Sequence, residues 1–109
     1  MTTVQGFQIT FFTQQNRRHH EKAVAEWLVD TAHELGIRGA TLLMGAEGFG
    51  HDRRLHSWRF FELSEQPVEV VMAVSADEEK KLFERLRAEK LPVFYIKSPV
   101  EFGTLGDDA

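Results

Sequence analysis

The stretch Val68–Lys97, VEVVMAVSADEEKKLFERLRAEKLPVFYIK, decides the fold. Its first seven residues, Val68–Val74, are dominated by valine, the composition of a half-buried strand. Ala76–Lys90 then carries acids in its first turn, bases toward its end and an apolar stripe of Leu82, Phe83 and Leu86, which reads as a helix. Val93–Lys97 (VFYIK) returns to strand character. A strand, a helix and a strand in close succession form one half of a split βαβ pair.

The other half precedes it. Gly6–Thr13 (GFQITFFT) sets Phe7, Ile9 and Phe11 against Gln8, Thr10 and Phe12 and reads as a strand. From His20 the positions Val24, Trp27, Leu28, Thr31 and Leu35 follow helical spacing until Gly36 supplies a stop. Ala40–Met44 suits a short buried strand. Gly45–Leu55 breaks every pattern and reads as a loop. Ser57–Leu63 (SWRFFEL) is expected to be a strand forming a hairpin with Val68–Val74 across a turn at Ser64–Pro67. Ser98–Ala109, with Pro99, Gly103 and Gly106, reads as a C-terminal tail.

The implied order is βαββαβ: an α+β, ferredoxin-like fold in which two helices cover one face of an antiparallel sheet, with a long loop after the second strand. It predicts a single domain over 1–109, with its core in Gly6–Lys97. The second sheet face lacks a cover. Nine Phe and two Trp in 109 residues suggest that other copies of the chain bury that face, making an obligate oligomer.

Composition sets further bounds. A hydrophobic fraction of 42% and a charged fraction of 28% are those of a folded globular chain. The chain has no cysteine, which removes disulfides, thiolate metal sites and cysteine nucleophiles, and a cytoplasmic setting fits best. Neither a secretory start nor a stretch of about 18 to 20 apolar residues is present, so membrane embedding is not expected. The net charge of −4 argues against nucleic acid as a partner. Positive charge nevertheless collects in two short segments, each with two histidines: Arg17, Arg18 and Lys22 beside His19 and His20, then Arg53, Arg54 and Arg59 beside His51 and His56.

The run Gly45-Ala46-Glu47-Gly48-Phe49-Gly50-His51-Asp52-Arg53-Arg54-Leu55-His56 is the most informative local feature. Glycines let another group approach the backbone, and bare N–H groups beside arginines make a cradle for phosphate or carboxylate. The ligand-binding candidates are therefore Gly45, Gly48, Phe49, Gly50, His51, Arg53, Arg54 and His56. A solvated loop whose charges serve solubility is the plainer alternative. Neither a dinucleotide fingerprint nor a phosphate-binding Walker loop occurs. His19 and His20 are adjacent, so their side chains are expected to diverge at a helix start, and they read as histidines without a site. His33 reads as surface. No metal site is assigned, no cofactor is implied and no catalytic residue is visible: there is no HExxH motif, and Ser57, Ser64, Ser75 and Ser98 lack a nucleophile-elbow context. The chain is read as a binding protein and not as an enzyme.

Several separated motifs agree in order and spacing with one family. Gly39-Ala40-Thr41-Leu42-Leu43, Glu47-Gly48-Phe49-Gly50, Arg54-Leu55-His56-Ser57 and Leu63-Ser64-Glu65 resemble the bacterial domain-of-unknown-function 190 family, regarded as PII-like. Ile9–Gln15 and Pro99–Gly106 resemble one branch of it. The resemblance implies a homotrimeric signalling or regulatory protein, with small effectors in clefts between subunits and a mobile loop, entered through Gly48-Phe49-Gly50, that meets a regulated partner protein. Two departures bear on the ligand. The Gln-Lys-Gly-His that follows the glycine segment in PII proteins is replaced here by His51–His56. Only Lys90-Leu91-Pro92 stands where PII proteins carry a glycine-rich phosphate loop, so ATP binding in the PII manner is not implied. The single tyrosine, Tyr95, lies on a predicted strand and offers no loop site for uridylylation.

The expected function is thus a PII-like trimer that binds a small anionic metabolite or nucleotide. Two alternatives stand beside it. A CutA-like metal-binding trimer would use His51 and His56 with Glu47 or Asp52. A small ferredoxin-like monooxygenase would need a deep apolar cavity holding a histidine.

Overall fold

The computed structural model describes residues 3–45, 47–49, 55–57 and 66–106. Its elements in chain order are β1 (Thr3–Gln14), β2 (Arg18–His19), β3 (Lys22–Ala23), α1 (Val24–Glu34), β4 (Thr41–Met44), β5 (Glu47–Phe49), β6 (Leu55–Ser57), β7 (Pro67–Ser75), α2 (Ala76–Glu89) and β8 (Phe94–Gly103). The main sheet has the order β4-β7-β1-β8 and every pairing in it is antiparallel. With α1 between β1 and β4 and α2 between β7 and β8, this is the ferredoxin-like arrangement.

Alternation explains the sheet. On β1, Ile9, Phe11 and Thr13 are buried, and on β7 so are Val68, Val70, Met72 and Val74. These positions share the face that packs on Val24, Leu28, Thr31 and Ala32 of α1 and on Leu82, Phe83 and Leu86 of α2. The register puts Leu43, Val71, Phe12, Phe94 and Ile96 on the opposite face. No helix of the described residues covers it. Phe94 is 66% exposed and Ile96 54%, and the rings of Phe12 and Phe94 meet at a tilt with centroids 5.5 Å apart on that face.

Local chemistry fixes the helix ends. Ser75 accepts a hydrogen bond from the Glu78 N–H at 3.1 Å, while the Glu78 carboxylate accepts one from the Ser75 N–H at 2.9 Å, a complete capping box. α1 closes through the Ile37 N–H donating to the Ala32 carbonyl at 3.0 Å and the Gly36 N–H donating to that of His33 at 3.1 Å. Gly36, at φ +77°, supplies the left-handed residue this ending requires. α2 ends the same way, with Leu91 to Leu86 and Lys90 to Arg87, but its left-handed position is held by Lys90 at φ 54°.

Five sequence expectations need correction. The short strand expected to be buried at Ala40–Met44 forms as β4 but is exposed along its length, because it lies at the edge of the sheet. The last strand does not stop at Lys97 with a tail from Ser98: β8 pairs with β1 as far as Gly103. Pro99 looked like a breaker, yet β8 is an edge strand, where a missing N–H is tolerated. α1 begins at Val24 and not at His20, because Arg18–Ala23 folds into the small β2–β3 hairpin. Along Val68–Val71 the edge of β7 away from β1 is occupied by β4, so the expected hairpin with Ser57–Leu63 is replaced there by β4–β7 pairing. Residues 58–63 lie outside the described residues. Finally, part of the Gly45–Leu55 loop is ordered as a strand, since β5 pairs with β6.

Candidate functional site

Gly45 sits where β4 leaves the sheet. Its N–H donates to the Pro67 carbonyl at 2.7 Å and its carbonyl accepts from Gln66 Nε2 at 3.3 Å, so its polar groups hold the strand exit and are not free for an anion. Gly48 and Phe49 lie on β5, with Gly48 opposite His56 and Phe49 opposite Leu55 of β6. The two arms bring His56 back to the glycine segment. Gly50, His51, Arg53 and Arg54 lie outside the described residues, as does Asp52 of the CutA-like alternative.

Sequence reasoning missed a second cluster. The residues of β2 and the turn after it reach the C-terminal end of α2. Nε2 of His19 and Nε2 of His20 each lie 2.9 Å from the same oxygen, Oε1 of Glu89. The two histidines therefore converge, contrary to the divergence expected of adjacent residues. The cause is backbone geometry. His20 and Glu21, with φ of 51° and 64°, form a two-residue turn with both residues left-handed, which folds β3 back on β2. The His19 ring stands edge-on to Trp27 of α1 with centroids 5.1 Å apart, and its side chain is 14% exposed against 71% for His20. Arg17 ties the segment down by donating from Nη2 to the Pro92 carbonyl at 3.0 Å. Hydrogen bonds from His19 and then His20 hold the Glu89 carboxyl below its ordinary range. Glu89 is about seventy positions from its partners in the chain, and no local pattern points to it.

The same end of α2 borders a cavity of about 340 Å³. Its floor is aromatic, from Phe11, Phe83 and Tyr95, and Arg87 and Lys90 stand among its lining residues. The Phe83 and Tyr95 rings meet at 4.9 Å. Tyr95, on the edge strand and 43% exposed, leaves the outer side of this wall in solvent. Neither Arg87 nor Lys90 has an ion-pair partner among the described residues. An apolar floor beside two cations suits a ligand with a flat apolar part and a negative group.

Residues 6–94 match the profile of DUF190, described as "Uncharacterized ACR, COG1993". The chain belongs to the DUF190 family. No curated protein matches its sequence. Among solved structures, this DUF190 chain is similar to a PII-like signalling protein from Thermus thermophilus, with TM-score 0.67 and 19% identity over 94% of this chain and 93% of that one. It is also similar to CPII, a nitrogen regulatory PII-like protein from Thiomonas intermedia bound to ADP, AMP and bicarbonate, with TM-score 0.68 and 13% identity over 94% and 92% of the two chains. The apo form of CPII aligns with TM-score 0.54 at 14% identity, over 94% of this chain and 98% of that one. At these identities the likeness is one of fold. Among the described residues of this DUF190 member, no helix is long and apolar enough to cross a membrane.

Proposed function

We propose that this chain is a single-domain, cytoplasmic, non-enzymatic PII-like regulator that assembles as a homotrimer and binds a small anionic metabolite or nucleotide in clefts between subunits. The observation that carries the reading is the cavity at the end of α2, where Phe11, Phe83 and Tyr95 meet Arg87 and Lys90 on the edge-strand side of the sheet. A second copy against that edge would supply the missing wall. The apolar open face, with Phe94, Ile96 and Leu43 exposed, supports assembly through the sheet. The nucleotides and bicarbonate bound by CPII support the ligand class.

The glycine segment adds a second anchor. Arg53 and Arg54 neutralise the anion, glycine N–H groups contact it, and His56 orients it. The hairpin arms β5 and β6 present this segment to a regulated protein. Isothermal titration of adenine nucleotides and small carboxylate or phosphate metabolites tests the reading. At least one ligand binds the wild type, and Arg53→Ala/Arg54→Ala and Arg87→Gln/Lys90→Gln each weaken it by about tenfold or more, as expected for a lost charge-assisted contact. Absence of binding to the wild type, or equal binding by all three proteins, overturns it.

A further inference from the structure

The cluster at the end of α2 has the composition of a metal site. One ligand atom from each of His19, His20 and Glu89 lies within 4.8 Å of the other two, and both Nε2 atoms face the same Glu89 oxygen at 2.9 Å. Two imidazoles and a carboxylate form a donor set that suits zinc and its neighbours among divalent transition metals. A tetrahedral ion bound at about 2.0–2.1 Å sets its ligand atoms about 3.3–3.4 Å apart. Reaching that spacing requires the carboxylate oxygen to withdraw by about half an ångström. It also requires the two imidazole ligand atoms, which lie within 4.8 Å of each other, to close to that spacing, a rotation the exposed His20 can make.

Three features of the surroundings favour a cation there. Among the described residues, the non-glycine positions with left-handed backbone are His20, Glu21 and Lys90, and all three belong to or adjoin this cluster. Such conformations are disfavoured for residues with a Cβ and persist where the surroundings hold them. They bring a β2–β3 turn and a helix end, far apart in sequence, face to face. Glu89 is also the last residue of α2, where the helix dipole disfavours a bare carboxylate and favours a cation beside it. The third feature is preorganisation. His19 is packed edge-on against Trp27 and Arg17 is anchored on Pro92, so one ligand is already oriented before an ion arrives.

We infer that His19, His20 and Glu89 form a binding site for a divalent transition-metal ion of the zinc type, with water completing the coordination. The ion ties the β2–β3 turn to the end of α2 beside Arg87 and Lys90. This site is separate from the His51 and His56 pair of the CutA-like alternative, and it does not depend on the nucleotide reading.

The test uses the full chain without a histidine tag, stripped with a chelator and titrated with ZnCl2 against a chromophoric competitor. One equivalent of Zn²⁺ per chain is expected, and Co²⁺ is expected to give a visible spectrum of tetrahedral intensity. His19→Ala, His20→Ala and Glu89→Gln each weaken Zn²⁺ binding at least about tenfold, the lower end of what loss of even an outer-shell partner costs. His33→Ala, at an exposed position on α1, leaves it unchanged. Glu89→Gln separates a metal role from a structural one, because the amide keeps an oxygen for the histidines but loses the charge. The metal-free variant melts near the wild type, yet its melting temperature no longer rises with Zn²⁺. Three results would overturn the proposal: no Zn²⁺ bound by the wild type, undiminished affinity in Glu89→Gln, or undiminished affinity in His19→Ala/His20→Ala.

Discussion

Replacing Phe94 and Ile96 by threonine tests whether the open sheet face is a subunit interface. Both residues alternate away from the helices, are 66% and 54% exposed in the single chain, and keep β-propensity as threonine. Fully burying such a side chain contributes about 1.5–3 kcal/mol. Covering the exposed fractions is therefore worth about 1.8–3.6 kcal/mol per chain for the pair, or about 5–11 kcal/mol over three chains. At 1.4 kcal/mol per factor of ten, the double substitution weakens trimer assembly by roughly four to eight orders of magnitude. Sedimentation velocity at micromolar concentration reads this directly, with circular dichroism to establish that the variant is folded. The wild type is expected to run as a trimer and the folded variant as a monomer. A monomeric wild type, or a variant as trimeric as the wild type, refutes the reasoning.

Other predictions concern the scaffold. Ser75→Ala removes the side-chain half of the capping box on α2 and is expected to cost about 1 kcal/mol in urea unfolding; an unchanged midpoint would show that the cap contributes nothing. Gly6→Ala would drive a Cβ into the Val74 carbonyl oxygen of the neighbouring strand. Because backbone must shift in the middle of the sheet, a loss of about 2 kcal/mol or more is expected, and a loss below about 0.5 kcal/mol contradicts the geometry. Lys22 donates to Asp30 at 2.7 Å, and this hydrogen bond and then the Asp30 charge raise its pKa above 10.5. A raised folded-state pKa means that the contribution is complete below the unfolded lysine value and is lost as pH rises through the folded one. NMR titration of the Lys22 ammonium is expected to show the elevation and Asp30→Asn to abolish it; identical titrations in the two proteins would exclude the pair.

The fold was legible wherever one face of an element meets the core. Alternation in Gly6–Thr13 and Val68–Val74, and the Leu82, Phe83 and Leu86 stripe, each encode a buried side, and those elements lie where expected. The errors fall where local patterns mislead. Pro99 suggested a break but occupies an edge, and the spacing from His20 to Val24 resembles a helix although a strained turn intervenes. The loop candidates were legible because glycines and arginines adjoin in sequence. The His19, His20 and Glu89 cluster was not, since it depends on a left-handed turn without glycine and on packing against the far end of α2. The Arg87 and Lys90 cavity was hidden for a related reason: its aromatic floor comes from β1, α2 and β8.

The central claim is that ligand is held between subunits of a PII-like trimer. It is tested most directly by titrating ADP, at a protein concentration of tens of micromolar, into the wild type and into folded Phe94→Thr/Ile96→Thr. Both residues lie on the face away from the cavity, so they affect binding only through assembly. Binding by the wild type and a loss of at least about tenfold in the monomeric variant is the predicted result. Undiminished ADP binding by the monomeric variant would contradict the account.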